Sequence, residues 1–361
     1  MRVLWYSDLH ISGSGDFSRP SASGYTTRID DAFRAASWIS DVIVSKKIDL
    51  VVNGGDIFKH QGALQSLDFS AAVKFLTIVD SACREVEASQ VVLLGNHDYI
   101  SNDRRICATD FVDSLPNSRL IRDIELVEIG DGWFGFIPYL LDWSILTTYW
   151  DTFRRYTENG IPVYLFGHMD LNGVINANVN SRQILSTSGI SPETLSKICT
   201  FCFNGHHHIP QIVGGKKNII LSGSLQQFTV SEAAGNFSRG LYILDTEKKS
   251  CEHLPVGSLL SEILTVSSLE DLRGIDRNNY IVFRYSDHLS REEAEEILKE
   301  FRGYRMIFTD RGDVTEIDIP LLLAGEESPI ETFRKFLNHK FPGDVELEKL
   351  GVSLISKRED G

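Results

Sequence analysis

Five short polar clusters, each placed directly after an apolar run that predicts a β-strand, constrain this chain more than any other feature of its sequence. In chain order they are Asp8-Leu9-His10, Gly55-Asp56, Gly95-Asn96-His97-Asp98, Gly167-His168 and Gly205-His206-His207-His208. In layered α/β folds the carboxyl ends of strands face a common crevice, so clusters spread over about 200 residues can meet there. A glycine in every cluster but the first allows the tight turn that directs a side chain inward. The pattern predicts one site built from five loops.

The chemistry of these clusters favours metal binding. They offer carboxylates, imidazoles and one carboxamide oxygen without a thiolate, a set that suits Mn²⁺, Fe or Zn²⁺ better than Ca²⁺ or Mg²⁺. Two ions roughly 3.5–4 Å apart that share one carboxylate would use all the ligands and could act on an in-line phosphoryl displacement. Single clusters have structural alternatives, such as a capped turn for Asp-x-His or an ordinary turn for Gly-Asp. All five in this order favour the metal centre.

The spacing of apolar residues predicts an α/β fold with two sheets packed face to face and helices outside. The first part alternates strands and helices as in βαβ units, with strands at 2–6, 50–52 and 91–94 and helices at 30–46 and 64–86. Later elements are a helix at 143–156 and strands at 125–128, 133–137, 163–166, 198–203, 219–221 and 240–244.

The C-terminal third predicts a smaller appended unit. A polar stretch at 267–279 is a plausible linker, and strands at 280–285 and 304–308 around a helix at 290–301 form a small β-α-β module. A last helix at 330–341 has an apolar stripe that would dock on its own domain or on a partner. We therefore expect three parts: residues 1–262 as the main domain, 263–320 as a capping domain and 321–361 as a partner-docking tail.

Charge and cysteine content limit the function and the compartment. The chain has 36 Lys and Arg against 50 Asp and Glu, a net charge of −14, so any contact with DNA has to be local, through metal ions and a few basic loops. Five scattered cysteines and a start that lacks a long apolar run predict reduced thiols, no membrane anchor and a cytoplasmic protein. The Cys199-x-x-Cys202 pair is better explained by core packing than by a metal site.

The five clusters resemble the D-x-H, G-D, G-N-H-[D/E], G-H and G-H-x-H motifs of the calcineurin-like metallophosphoesterase superfamily over roughly residues 1–260. The resemblance implies a two-sheet metallophosphoesterase sandwich with two metal ions. One ion would be held by Asp8, His10, Asp56 and His208, and the other by the bridging Asp56, Asn96, His168 and His206. His97 would donate to the phosphate or protonate the leaving oxygen, and Asp98 would orient it. His207 is expected to be structural.

Finer features resemble the SbcD-type nuclease subunits within that superfamily. They are the segment 55–58, the Gly-Ser-Leu segment at 223–225 with Glu232 nearby, and the small β-α-β module. The protein phosphatase pattern is disfavoured because no Asp-Arg pair follows Gly55-Asp56. One departure is that Lys59 stands where many SbcD-type members have a histidine, with His60 one position later. Either side chain could contact the phosphate.

The SbcD-type resemblance implies Mn²⁺-dependent 3′-to-5′ exonuclease activity on DNA duplexes and endonuclease activity on single strands, in break processing, repair and recombination. It also implies a homodimer bound to an SbcC-type coiled-coil ATPase, near the nucleoid or, for a viral chain, in the host cytoplasm. The residues expected to contact DNA are Arg19, Tyr25, Arg28, Asn102, Arg104 and Arg105. The alternative is that they are loop residues that only contact solvent. The rival activity is a small-molecule phosphodiesterase or pyrophosphohydrolase.

Overall fold

A computed structural model gives the fold of most of the chain. It describes residues 1–15, 17–60, 64–100, 106–177, 183–233, 237–285 and 291–308. Residues 1–308 form one compact unit. The predicted tail helix at 330–341 and the last part of the expected capping domain lie outside the described residues, and the three domain boundaries stay predictions.

The described residues form seventeen strands and seven α-helices. The strands are β1 (Arg2–Tyr6), β2 (Leu50–Asn53), β3 (Ser89–Leu93), β4 (Ser118–Ile121), β5 (Glu125–Ile129), β6 (Gly132–Ile137), β7 (Val163–Gly167), β8 (Ile175–Ala177), β9 (Gln183–Leu185), β10 (Phe201–Asn204), β11 (Gln211–Ile212), β12 (Ile219–Leu221), β13 (Gly240–Asp245), β14 (Ser250–Pro255), β15 (Ile263–Val266), β16 (Tyr280–Tyr285) and β17 (Gly303–Phe308). The helices are α1 (Thr27–Lys46), α2 (Ser66–Glu85), α3 (Ser144–Glu158), α4 (Pro192–Ile198), α5 (Val230–Ala233), α6 (Leu269–Arg273) and α7 (Arg291–Leu298).

Two six-stranded sheets form the body of the protein. The first has the order β14-β13-β1-β2-β3-β4 and the second the order β11-β12-β10-β7-β6-β5. Strands β1 to β4 run parallel to one another, as do β6, β7, β10 and β12. The central strands are buried on both faces, which explains why their sequences are continuous apolar runs. The predicted two-sheet α/β architecture is confirmed.

Aromatic side chains fill the space between the two sheets. The indole of Trp5 on β1 lies 5.8 Å from the ring of Phe166 on β7 and 6.1 Å from that of Phe203 on β10, measured between ring centroids. Burying each such side chain contributes about 1.5–3 kcal/mol. Helices α1 and α2 cover the outer face of the first sheet, and α3 and α4 cover the outer face of the second. The strand ends are thereby held in fixed relative positions.

The sequence prediction missed helix α4 and placed a strand at 198–203. The structure has α4 up to Ile198 and starts β10 only at Phe201. Pro192 in the first turn favours a helix start, and the helix is too short for its periodicity to stand out. Cys199 and Cys202 are both buried in the core, and burial raises the pKa of the Cys202 thiol to about 12. This burial agrees with the packing role predicted for the pair.

A three-stranded parallel sheet, β15-β16-β17, forms the small module together with α6 and α7. The polar stretch at 267–279, predicted as a linker, instead contains α6, whose Leu272 is fully buried. The Ser268 side chain accepts a hydrogen bond from the Asp271 N–H and so caps this helix. A short capped helix therefore accounts for a sequence that looked unstructured.

The module docks on the larger body through a buried carboxylate. Asp31 of α1 is fully buried, and its Oδ2 accepts a hydrogen bond of 2.7 Å from the Tyr280 hydroxyl on β16. Its Oδ1 forms an ion pair of 2.7 Å with Arg302. A side chain at Gly303 would collide with the carbonyl of Phe17, so the two parts approach closely there. None of the described helices combines the length and hydrophobicity that crossing a membrane requires.

We predict that Tyr280→Phe lowers the free energy of unfolding by about 1–3 kcal/mol, because it removes a hydrogen bond from a buried carboxylate. Urea denaturation of the full chain measures the change. Tyr149→Phe, at a half-buried position on α3, serves as the matched control and should change the free energy by less than about 0.5 kcal/mol. An equal effect of both substitutions would contradict the docking role of the Asp31–Tyr280 contact.

Candidate metal centre

The five polar clusters meet at one edge of the two-sheet body. Three of them follow β1, β2 and β3 of the first sheet, and two follow β7 and β10 of the second. The loops after β1 and β2 are joined by backbone hydrogen bonds from Asp8 N–H to the Gly55 carbonyl (3.1 Å) and from His10 N–H to the Asp56 carbonyl (3.0 Å). The site thus spans the ends of both sheets, and its loops are bound directly to one another.

Four predicted ligands have a left-handed backbone conformation, which is uncommon for residues other than glycine. The φ angles are 55° at Asp8, 42° at His10, 52° at Asp56 and 72° at His206. Such conformations cost about 1–3 kcal/mol each and concentrate at functional sites. From the sequence, a glycine was expected to allow the tight turn in every cluster but the first. The turns are instead made partly by the ligand residues themselves.

Gly95 is required for close packing and not for a left-handed turn. A Cβ atom at this position would lie only 2.2 Å from the backbone nitrogen and from a carboxylate oxygen of Asp56. The loops after β2 and β3 therefore touch backbone to backbone. This contact brings Asp56 next to Asn96 and His97.

Asp8, His10 and His208 form the first cluster, with ligand atoms all within 4.8 Å of one another. His10 Nδ1 lies 3.1 Å from the Phe58 carbonyl, which can only accept a hydrogen bond, so this nitrogen carries the proton. The other nitrogen, His10 Nε2, is thereby left as a free electron-pair donor. His208 Nδ1 is likewise 3.0 Å from a carboxylate oxygen of Glu232. Outer partners of this kind fix the orientation of metal-binding histidines.

Asp56, His168 and His206 form another cluster with ligand atoms within 4.8 Å. His168 Nδ1 donates to the Gly54 carbonyl (2.6 Å), and its Nε2 lies 3.1 Å from Asn96 Oδ1. The same Asn96 oxygen lies 2.9 Å from His206 Nδ1. All seven predicted ligands are therefore brought together in two adjoining groups. Their assignment as ligands stays a prediction.

Asp56 lies between the two groups. Its Oδ2 is 3.5 Å from His10 Nε2 on one side and 3.4 Å from His168 Nε2 on the other. A third cluster of possible ligands joins Asp56 and His10 with His97. This is the position that a carboxylate bridging two cations would need.

The residues present fit a pair of divalent cations. Asp8 Oδ2 and His10 Nε2 are buried and have no hydrogen-bond partner, which is costly unless a ligand satisfies them. Burial opposes protonation of His168, but the Asp56 and Asp8 carboxylates outweigh it and raise the pKa of His168 to about 9. The centre combines two carboxylates with imidazole nitrogens, and such oxygen and imidazole donors suit a transition metal.

A protein-family model described as calcineurin-like phosphoesterase matches residues 1–210. The chain belongs to this family. A viral relative, "Putative phosphoesterase 244L" of Invertebrate iridescent virus 6, is 24% identical over 204 residues, which are 56% of this chain and 65% of that protein. The match thus spans slightly less than two thirds of the relative's length.

Solved structures with a similar chain course have low sequence identity. A dimetal phosphatase from Danio rerio is 12% identical with a TM-score of 0.36, and the match covers 67% of this chain and 91% of that protein. GAP50, the anchor in the inner membrane complex of Plasmodium, is 11% identical with a TM-score of 0.37, and the match covers 71% of this chain and 88% of GAP50. The family membership therefore rests on the match over residues 1–210. The candidate ligands of the metal centre, at residues 8–208, lie within this match.

Asp98 has a different role in this calcineurin-like phosphoesterase from the one predicted. Its carboxylate accepts backbone N–H hydrogen bonds from Gly95 (2.9 Å), Asp56 (3.0 Å), Ile57 (2.9 Å) and Phe58 (3.3 Å). It does not orient the His97 ring, because these four donors occupy its oxygens. Asp98 instead joins the loops after β2 and β3.

His97 is oriented by a backbone carbonyl. Its Nδ1 donates a hydrogen bond of 2.7 Å to the Lys59 carbonyl, and its backbone N–H donates to Asp56 Oδ1 (2.9 Å). The imidazole is half-buried and packs edge-on against His10, with ring centroids 4.9 Å apart. The hydrogen bond that fixes the ring uses Nδ1 and not the other ring nitrogen, Nε2. This geometry allows either proton donation to a bound phosphoester or metal ligation.

The two candidates for the phosphate contact after Gly55-Asp56 lie in different surroundings. The His60 imidazole is exposed, and its Nε2 lies 3.2 Å from the Ser14 hydroxyl. Lys59 is half-buried and lines a small cavity that His10 also lines. Lys59 therefore shares a cavity with a predicted metal ligand.

The expected DNA contacts are only partly available. Arg28 is 8% exposed and lies in the first turn of α1 and not on the preceding loop, and its contact with DNA stays a prediction. Arg19 is exposed, but it donates to the Tyr304 carbonyl (3.1 Å) and stacks over that ring. Tyr25 is half-buried and packs edge-on against Phe33. The other three expected contacts lie outside the described residues: Asn102, Arg104 and Arg105.

Two site residues were not found from the sequence. Arg239 is buried and donates to the His208 carbonyl (2.9 Å) while pairing with Glu232 at 3.6 Å, so it supports the pair that orients His208. The Tyr139 ring lies 5.6 Å from the His206 ring, between centroids. Neither residue belongs to a motif; each only adjoins a strand. His207 is buried and bonded to Leu171 N–H and to Asn176, in agreement with its predicted structural role.

We predict that Asp98→Asn weakens manganese binding by roughly 10- to 100-fold, the range typical for partners that position ligands. The amide would bring an N–H group toward donors that already point at this position. Isothermal titration calorimetry measures the affinity. Asp113→Asn is the matched control, since Asp113 also accepts a backbone N–H, that of Leu120, but outside the site. Equal affinities of both variants would show that the four N–H contacts do not position the ligands.

Proposed function

We propose that this chain is a manganese-dependent DNA nuclease of SbcD type that cuts phosphodiester bonds in break processing, repair and recombination. It would act as a 3′-to-5′ exonuclease on duplex DNA and as an endonuclease on single strands. The observation that carries the proposal is the contact between Glu232 and His208. It links the last histidine cluster to the Gly-Ser-Leu segment and its nearby glutamate, the features that distinguish SbcD-type subunits in the sequence.

Two manganese ions would occupy the two adjoining groups, with iron or zinc as the other candidates. Asp8, His10, Asp56 and His208 would hold one ion, and Asp56, Asn96, His168 and His206 the other. The ions would supply Lewis acidity at the phosphate. Imidazole nitrogens beside carboxylate and amide oxygens support a borderline metal over calcium.

The residues around these groups have separate roles. The Nδ1 proton of His97 is held by the Lys59 carbonyl, so in the imidazolium form a second proton on Nε2 would pass to the leaving 3′-oxygen, leaving the neutral imidazole. Asp98 would keep Asp56 and His97 in register through the backbone. Lys59, which lines the cavity beside His10, is the better candidate for a charge on the phosphate, and His60 stays as the alternative.

We further propose that the chain forms a homodimer that binds an SbcC-type ATPase. The complex would act in the cytoplasm, near the nucleoid, or in the cytoplasm of a host cell if the chain is viral. Four large apolar side chains are exposed by 46–62% near Tyr99 and Tyr139: Ile100, Ile106, Leu141 and Ile145. Large apolar side chains with this exposure support a contact with a second subunit. The tail at 321–361 would dock on the ATPase.

A small-molecule phosphodiesterase or pyrophosphohydrolase is the second candidate. The net charge of −14 favours it, because a polynucleotide needs a cationic path. Of the three expected DNA contacts that the structure describes, Arg19 donates to the Tyr304 carbonyl and Tyr25 packs against Phe33. A small substrate would need only the metal centre and its immediate surroundings.

We predict that the manganese-loaded chain degrades linear duplex DNA and nicks single-stranded circles, and that a chelator stops both reactions. His97→Gln should lower the rate of cleavage by roughly 100- to 10,000-fold, the contribution of a general acid, while manganese content stays unchanged. His253→Gln, at a half-buried histidine on β14, is the matched control and should cleave normally.

Hydrolysis of bis(4-nitrophenyl) phosphate without any cleavage of DNA would favour the small-molecule alternative. Loss of manganese together with activity in His97→Gln would make His97 a metal ligand and not a proton donor.

A further inference from the structure

Arg28 carries a buried positive charge that no carboxylate neutralises among the described residues. Its side chain donates one hydrogen bond, from Nη2 to the Gln227 carbonyl at 2.5 Å. The guanidinium also lies over the rings of Phe228 (5.4 Å) and Tyr280 (4.8 Å). Its other terminal nitrogen, Nη1, is buried and has no hydrogen-bond partner. A buried charge without a counterion is costly, so an anionic partner is expected here.

Arg28 is one of the residues that line a small cavity beside the metal centre. Lys59 and His10 also line it, and its remaining polar wall consists of Ser12, Ser14, Ser18 and Gln226. None of the described residues that line it is acidic, although the chain as a whole has a net charge of −14. The cavity measures about 30 Å³, room for one or two water-sized groups. Local positive charge and this size suit the oxygens of an anion.

We propose that this cavity is a subsite for a second phosphate group of the substrate, next to the one that the metal centre would bind. Its nonbridging oxygens would enter the cavity and accept hydrogen bonds from Arg28 Nη1, while Lys59 adds a second positive charge. Charge-assisted hydrogen bonds of arginine to phosphate are among the strongest in proteins. Because His10 borders both the cavity and the first ligand cluster, one substrate can reach both places.

The subsite rests on the phosphoesterase centre and not on the choice of DNA as substrate. The second phosphate could be the next one along a polynucleotide or the second phosphate of a small diphosphate. Both offer the same oxygens to Arg28. A 5′-phosphorylated dinucleotide and inorganic pyrophosphate, compared as competitors of phosphate binding, distinguish these two sources.

The test measures binding of inorganic phosphate to the full chain by isothermal titration calorimetry, in the manganese-loaded form and again after chelation. Arg28→Met removes the charge and keeps an apolar stem. It should weaken phosphate binding to the chelated protein by roughly tenfold or more, the loss expected for a charge-assisted contact. Arg154→Met is the matched control, because Arg154 lies exposed on α3 away from the cavity, and it should bind phosphate normally.

If circular dichroism shows that Arg28→Met is unfolded, Lys59→Met tests the same cavity at a less buried residue. It should weaken phosphate binding several-fold. Wild-type affinity in either folded variant, or no binding to the chelated wild-type chain, would overturn the subsite. Binding that depends on Arg28 in a chain that leaves DNA intact would support the subsite and refute only the nuclease proposal.

Discussion

The candidate centre depends on one buried carboxylate that binds no metal in our account. Asp98 accepts four backbone N–H groups from the loops that follow β2 and β3 and so holds these loops at a fixed separation. Asp56 is positioned by this contact through its own N–H group, and it receives the N–H of His97 on its side chain. A rigid backbone frame can hold ligands in place before any cation binds, which lowers the cost of assembling the site.

The frame has an energetic cost that the rest of the fold has to offset. Four predicted ligands have left-handed backbone conformations, and Asp8 and His10 each bury a polar atom without a partner. The aromatic layer between the sheets supplies the compensating stability, with Trp5, Phe166 and Phe203 packed directly beneath the strand ends. Bound cations would satisfy the unpartnered atoms, so the protein is expected to be more stable with metal than without it.

The sequence was sufficient for the two-sheet fold and for the list of candidate ligands, because both depend on short-range signals. Continuous apolar runs mark buried strands, and Asp, Asn and His residues directly after them are rare without a function. Side-chain partners were harder to predict. The sequence neighbour of His97 is Asp98, yet its actual partner is the Lys59 carbonyl, which lies 38 positions earlier in the chain. Arg28 was placed on a loop because the helix was predicted to begin at residue 30, whereas α1 begins at Thr27 without a side-chain cap. Arg239 belongs to no motif.

Anomalous diffraction from a manganese-containing crystal of the full chain would show whether two cations share Asp56. We expect two anomalous peaks, one among Asp8, His10 and His208 and the other among Asn96, His168 and His206, with the Asp56 carboxylate between them. A single peak, or two peaks with Asp56 bound to neither, would contradict this expectation.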